Sequence, residues 1–317
     1  MPTPIEKLSR FSKELGGPDI YIKRDDQTGM ELSGNKVRKL EFSVKEALNK
    51  GCDTLITCGG EQSNHCRATA AVASRLGMKS YLILRGSSKT EIDGNLFIDK
   101  LLGANLIFIS IEEYRDSRTE IMMRLKTDLE KEGRKPYIIP EGASNGIGAF
   151  GYFLAMEEIM RQEVEMNIHF DCIAIAVGSG GTYAGLILGK KIFGNRTSII
   201  GINVCDDKEY FENKILEIFA QSTVYLAEEL ILKREEITII DGYVGEGYGL
   251  SSKEQIKFIA DLARSEGLIL DNVYTGKAMY GLSQEIKKGK FKGIRNILFI
   301  HTGGIFELFS RKHLFEL

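Results

Sequence analysis

The chain has 317 residues, a net charge of −2, and 43% hydrophobic and 27% charged residues, the balance of an ordinary globular protein. That length predicts two domains or one large one, with a core that needs neither disulfides nor a structural metal. The acidic balance argues against a nucleic-acid binder, which would show a basic excess, and no run approaches the ~18 apolar residues of a membrane span.

Short apolar runs predict strands at 19–22, 54–57, 80–84, 105–109, 137–139, 172–177, 198–204, 268–270 and 296–300. Helix-period runs fall between them, at 36–49, 63–76, 94–101, 113–132, 148–165, 182–193, 208–219, 253–266 and 276–288. Alternation of apolar strands with helices predicts an α/β fold with parallel sheet covered on both faces. No repeat and no Pro/Ser-rich linker interrupts it, so two lobes would have to be joined by ordered loops. The start, MPTPIEKLSRF, lacks the apolar core of a signal peptide and the Arg/Ser bias of a transit peptide, and a cytoplasmic protein is expected. Five cysteines (Cys52, Cys58, Cys66, Cys172, Cys205) form no CxxC pair, and reduced, buried thiols are expected. Four histidines without HxxxH or HExxH spacing give no metal site.

Glycine is in excess, with 34 residues, while proline is scarce, with five and none after Pro140. Fifteen of the glycines fall in five segments, 59–60, 142–151, 178–181, 242–249 and 303–304. These are predicted strand ends or loops, where backbone can come close to a ligand.

Three segments carry candidate chemistry. Ser33-Gly34-Asn35-Lys36 opens a helix. A lysine at that positive end is either solvated or, if desolvated, an amine nucleophile of lowered pKa. Gly59-Gly60-Glu61-Gln62-Ser63-Asn64-His65 follows a strand and opens a helix, as a capped βα loop or as a carboxylate site on free N–H groups. Gly178-Ser179-Gly180-Gly181-Thr182 joins a buried strand to a helix, which suits a phosphate cradle or tight helix–strand packing. It is neither a Walker A loop nor a dinucleotide fingerprint, because no Gly-Lys-Ser/Thr follows and Tyr183 takes the third glycine's place. The loop 242–249 with Tyr243 and Tyr248, the run Val273-Tyr274-Thr275-Gly276-Lys277, and His301-Thr302-Gly303-Gly304 also lie at strand ends or in loops.

In this order, these segments resemble the pyridoxal-phosphate enzymes of the tryptophan-synthase-β-like fold (fold type II), in the branch of D-cysteine desulfhydrase and 1-aminocyclopropane-1-carboxylate (ACC) deaminase. The resemblance runs from Ile20 to Gly304. It implies two lobes of twisted parallel sheet, the larger of residues 1–43 and 150–317 and the smaller an insertion of 44–149, and it implies a homodimer. It implies that Lys36 carries pyridoxal 5'-phosphate and that Gly178, Ser179, Gly180, Gly181 and Thr182 hold the phosphate. Asn64, Thr275 and Thr302 would lie along the cofactor ring. Gln62, Ser63, Asn64, Tyr248 and Tyr274 would face a small amino-acid substrate, with Lys36, Ser63, Tyr248 and Tyr274 as catalytic groups.

Within that branch, ACC deaminases carry Glu after the Val-Tyr pair and Leu in the final His-x-Gly-Gly, whereas Thr275 and Thr302 match the desulfhydrase pattern. The implied reaction is α,β-elimination from D-cysteine, giving pyruvate, ammonia and hydrogen sulfide. ACC deamination and cysteate desulfonation are alternatives on the same scaffold, and a non-catalytic two-lobed binding protein is the alternative outside it. The sequence departs from the pattern at Glu61, Glu141 and Asn272, the last standing where proline is expected. Glu61 beside Gln62-Ser63-Asn64 is either paired away from the site or selects a cationic substrate.

Overall fold

The computed structural model describes residues 2–89, 91–227 and 229–315. Along the chain its strands are β1 (Ile5–Lys7), β2 (Asp19–Lys23), β3 (Thr54–Gly60), β4 (Lys79–Arg85), β5 (Asn105–Ile109), β6 (Pro136–Ile138), β7 (Cys172–Val177), β8 (Ser198–Asn203), β9 (Thr238–Ile240) and β10 (Asn296–Ile300). The helices are α1 (Ser9–Leu15), α2 (Lys36–Asn49), α3 (Asn64–Arg75), α4 (Gly94–Leu101), α5 (Ile111–Lys131), α6 (Gly146–Met166), α7 (Gly181–Ile192), α8 (Lys208–Thr223), α9 (Lys253–Glu266), α10 (Thr275–Lys287) and α11 (Ile305–Ser310).

The strands form two sheets. A six-stranded sheet has the order β1-β2-β10-β7-β8-β9, and a four-stranded sheet has the order β5-β4-β3-β6. All pairings are parallel except β1 with β2. Central strand β7, Cys-Ile-Ala-Ile-Ala-Val, is buried at every position, because helices cover both faces of such a sheet. In the smaller sheet the two faces separate by strand alternation. Leu55 packs with Leu40, Val44, Ala47 and Ala68, while Ile56 and Cys58 pack with Tyr114, Met122 and Leu129 of α5. The apolar stripe of α2 therefore belongs to the smaller sheet's core, yet the same helix packs against α6, which covers the larger sheet. Helix α2, with Lys36 as its first residue, thus bridges the two layers.

The expected strand at 268–270 is not a strand. Leu268 and Leu270 are buried in the larger core, so the run is apolar, but β10 already pairs β2 on one side and β7 on the other. The backbone finds a side chain instead, and the Ile269 carbonyl meets His301 Nε2 at 3.0 Å. Edge strands β1 and β9, three residues each, and the short helices α1 and α11 were not anticipated, being too brief to show a period.

Candidate active site

A cleft of about 670 Å³ is lined by residues at or just beyond the C-terminal ends of β3, β4, β7, β8 and β10, the edge where open α/β sheets bind ligands. Lys36 reaches it because two glycine turns pack backbone to backbone. Gly34 has φ +108° and Gly303 has φ +90°, and a Cβ on Gly34 would stand 2.7 Å from the Thr302 carbonyl oxygen. Asn35 N donates to that same oxygen at 3.1 Å. Two residues beyond Lys36, Arg38 donates to Asp25 (2.9 and 3.0 Å) and to Glu158 (2.8 and 3.0 Å). Lys23 joins Glu158 and Tyr152 joins Asp25, each at 2.5 Å. This buried network ties the start of α2 to β2 and α6.

Lys36 is half-buried on the cleft wall. Its Nζ donates to Asn35 Oδ1 at 2.8 Å and lies 5.9 Å from the centre of the Tyr274 ring. Burial lowers its pKa to about 8, with Asp271 opposing and Arg67 assisting. One turn on, Lys39 is fully buried, and its Nζ donates only to neutral oxygens, Gly142 O at 2.8 Å and Ser144 Oγ at 3.0 Å. Burial, reinforced by Lys36, holds its pKa well below the usual value.

Between these lysines and β7 lies an open cradle. Gly180, with φ +81°, is the N-cap of α7 and makes no side-chain cap, so the first N–H groups of that helix face the cleft uncapped. Thr182 Oγ1 is held by Asn35 Nδ2 at 3.1 Å, and Ser179 Oγ meets Ser144 Oγ at 2.8 Å. A Cβ on Gly181 would stand 2.7 Å from Lys39 Nζ and 2.6 Å from Ser144 Oγ, so glycine alone leaves that space clear. Helix-start N–H groups, hydroxyls and nearby ammonium groups suit a phosphate dianion.

On the opposite wall Ser63 caps α3, its Oγ accepting from Cys66 N at 3.2 Å. Asn64 lines the cleft, and Asn95 Nδ2 holds its Oδ1 at 2.9 Å, which turns its Nδ2 into the available group. Gln62 is not on the wall. Its carboxamide donates to Asp93 O at 3.0 Å and accepts from Asn95 N at 2.8 Å, tying this loop to the start of α4. Glu61 is likewise absent from the cleft lining and accepts from Ser87 N at 2.6 Å, so the basis for a cationic substrate falls away.

Tyr248 and Tyr274 close the cleft, their hydroxyls 2.5 Å apart. Burial raises both pKa values, so both stay protonated donors at neutral pH. The loop carrying Tyr248 is pinned by Lys277 of α10, which donates to Val244 O at 2.6 Å and Gly247 O at 2.8 Å. Thr302 lines the cleft, but Thr275 does not. Thr275 is fully buried, and its Oγ1 donates to Asp271 Oδ1 at 2.5 Å. That same carboxylate also accepts from the N–H groups of Val273, Tyr274 and Thr275.

Residues on or behind this wall that the motifs did not reveal are Lys39, Arg85, Tyr114 and Arg118, while Lys277 ends the Tyr274 run but carried no expected role. Lys39 could have been found from its spacing, one helical turn after Lys36. Arg85, Tyr114 and Arg118 belong to elements whose approach to the cleft no local pattern encodes.

A nucleophilic amine of lowered basicity, a dianion cradle and aromatic walls together define a site of the kind that pyridoxal phosphate requires. The comparisons agree. The model of the family described as pyridoxal-phosphate dependent enzyme matches residues 1–303, and the chain belongs to that family. It is 44% identical to the bifunctional D-cysteine desulfhydrase/1-aminocyclopropane-1-carboxylate deaminase, mitochondrial, of Arabidopsis thaliana, over 98% of this chain and 78% of the relative. It is 40% identical to the D-cysteine desulfhydrase of Yersinia enterocolitica, over 97% and 93% of the two chains. A crystal structure of an ACC deaminase homologue superposes with a TM-score of 0.90 at 38% identity, covering 99% of this chain and 93% of that one. The protein is therefore a pyridoxal-phosphate-dependent enzyme of the group that holds these D-cysteine desulfhydrase and ACC deaminase relatives. Among the described residues, no helix is long and apolar enough to cross a membrane.

Proposed function

We propose that the enzyme catalyses α,β-elimination from D-cysteine: D-cysteine and water give pyruvate, ammonia and hydrogen sulfide. The observation that carries the choice over ACC deamination is Thr302 on the cleft wall, with Thr275 behind it holding Asp271. By the resemblance, these positions lie toward the cofactor's pyridine nitrogen, where ACC deaminases carry Glu in place of Thr275 and Leu in place of Thr302. A hydroxyl there cannot stabilise a pyridinium as a carboxylate would, so the electron sink is weaker. Such a site suits departure of a good leaving group such as thiolate.

Lys36 and the cradle of Gly178, Ser179, Gly180, Gly181 and Thr182 would hold pyridoxal phosphate, with Asn64 Nδ2 as a donor toward its ring. When bound, the cofactor supplies the electron sink for loss of the α-proton and the β-substituent. The first N–H groups of α3, those ahead of the Cys66 N–H that Ser63 caps, would receive the substrate carboxylate. The Lys36 amine, with its pKa near 8, is suited to accept the α-proton near neutral pH. Tyr248 and Tyr274 remain protonated donors and would give a hydrogen bond, then a proton, to the departing sulfur as the C–S bond breaks.

The lobe division at residues 44 and 149, the homodimer and the cytoplasmic location belong to the same proposal. They rest on the resemblance and on the separate smaller sheet formed by β3 to β6. The test is to assay the purified holoenzyme for sulfide and pyruvate from D- and L-cysteine, and for 2-oxobutyrate from ACC. Stoichiometric sulfide and pyruvate from D-cysteine are expected; 2-oxobutyrate from ACC as the main activity would overturn the choice.

A further inference from the structure

The larger arginines around the cleft are mostly committed. Arg38 belongs to the Asp25–Glu158 network. Buried Arg67 donates to Asn95 and to the Glu31 and Ser33 carbonyls. Arg115 grips Asp116 with two hydrogen bonds. Arg118 donates to Tyr114 O at 3.1 Å and lies 3.8 Å from Glu141. Arg85 is different. It ends β4, in register with Gly60, and is half-buried on the cleft wall. Its guanidinium lies over two rings, 5.2 Å from the centre of Tyr114 and 5.1 Å from that of Tyr248. Among the described residues, no carboxylate pairs with it and no hydrogen bond uses its five donors.

Contact with two aromatic rings restrains the guanidinium while its five N–H donors stay unused, and such a fork can receive a carboxylate or sulfonate with two parallel bonds. The guanidinium is also beside the loop that presents the start of α3, since its Nη2 would stand 3.7 Å from a Cβ on Gly60, three residues before Ser63. The cleft therefore offers two separate receptors for anions besides the cradle at Gly178–Thr182. An α-amino acid has one carboxylate, and the proposed function places it at Ser63.

We propose that Arg85 forms a second anion subsite, taking the acidic end of a substrate's β-substituent, so that the substrate class extends to alanines carrying an anionic β-leaving group. This rests on the elimination reading above. With S-carboxymethyl-D-cysteine, for example, the Cβ–S bond breaks, the sulfur leaves with the bonding pair as the thiolate of thioglycolate, the α-proton is lost, and one water hydrolyses the remaining fragment to pyruvate and ammonia.

The test compares S-carboxymethyl-D-cysteine with S-carbamoylmethyl-D-cysteine, which match in shape and differ in charge. Binding to the holoenzyme is measured by calorimetry and turnover by pyruvate release, for wild type, Arg85→Gln and Arg85→Lys. Wild type is expected to prefer the carboxylate over the amide about 10- to 100-fold in Kd, the size of a charge-assisted hydrogen-bonded pair. That ratio is expected to fall to about one in Arg85→Gln and to an intermediate value in Arg85→Lys, which keeps the charge and loses the fork. A wild-type ratio near one overturns the subsite, as does a ratio that survives Arg85→Gln. If both variants fail to fold, the wild-type ratio still decides. Binding is read without turnover, so a preference for the carboxylate with no pyruvate from either compound or from D-cysteine would sink the elimination reading and leave the subsite standing.

Discussion

Burial lowers the Lys36 amine to a pKa of about 8 from the ordinary lysine value of 10.5, and that difference can be read directly in the apo-protein. At pH 7 a lysine of pKa ~8 is about one-tenth neutral, whereas one of pKa ~10.5 is neutral in about one molecule in 3,000, a ratio of roughly 300. Only the neutral amine attacks the cofactor aldehyde. Cofactor uptake by the apo-protein should therefore rise with pH through about 8 and level off above about 9. The assay is stopped-flow uptake of pyridoxal phosphate, followed by visible absorption and by borohydride trapping, with Nα-acetyl-lysine as the reference amine. The reference should still be rising at about pH 10. Linkage gives a second readout of the same shift. Between about pH 8 and 10.5 the unfolded lysine binds a proton that the folded one does not, so apo-protein stability rises with pH in that window, by at most about 3 kcal/mol. Below about pH 8 both states are protonated and this lysine contributes no slope. A protein uptake curve that tracks the reference amine, or one with no pH dependence, would refute the claim that burial activates Lys36.

Four further outcomes are expected. Lys36→Ala should abolish turnover and the borohydride-trappable cofactor; a variant that keeps the visible band would refute the assignment. Lys277→Met removes the two bonds that pin Val244 and Gly247, so kcat should fall about tenfold or more through misplacement of Tyr248, with cofactor content retained. Unchanged kcat would show that the loop holds itself. Arg38→Met leaves Asp25 and Glu158 buried without their shared cation, and urea unfolding should report a loss of about 3–5 kcal/mol; a loss under about 1 kcal/mol would mean that Lys23 and Tyr152 suffice. Asn272 is fully buried and neither atom of its carboxamide has a partner among the described residues. Asn272→Pro, which restores the residue expected from the resemblance, should stabilise the protein by about 1–3 kcal/mol in the same assay, and destabilisation would mean that the backbone there rejects proline.

The sequence was most legible where one element and its boundary coincide with the chemistry. Helix α2 begins at Lys36, as its turn residues predict, and the loops at Ser63 and Gly178 open helices α3 and α7 at the positions their glycines and cap residues announce. It was least legible where placement depends on a side chain's second choice of partner. Gln62 and Glu61 sit in the right loop, but the start of α4 and the Ser87 N–H claim their side chains. Thr275 sits in the right motif, but its hydroxyl is the nearest donor to a buried carboxylate. Arg85 and Tyr114 carry no motif. They reach the cleft because parallel pairing of β3 with β4 sets Arg85 beside Gly60, and because α5 lies across the face of the sheet that bears Cys58. These are long-range consequences of register and layer packing, which a local pattern does not contain.

The two lysines at the start of α2 make the site one that favours a bound anion. Lys36 and Lys39 are one turn apart, and neither forms an ion pair among the described residues. Each has its pKa lowered by burial, and the charge of Lys36 lowers that of Lys39 further. Lys39 faces only a carbonyl and a hydroxyl, so no carboxylate among the described residues repays its desolvation as an ion. A phosphate dianion in the cradle beside Gly181 would reverse that balance, because an opposite charge at short range favours the protonated amine. Binding of the phosphate should then draw a proton to Lys39, while attachment at Lys36 consumes the neutral amine that burial has made available. The same low-polarity environment thus keeps one lysine nucleophilic and leaves the other waiting for a counter-charge. It follows that inorganic phosphate alone should stabilise the apo-protein, and that Lys39→Met should remove most of that stabilisation while sparing the amine reactivity of Lys36.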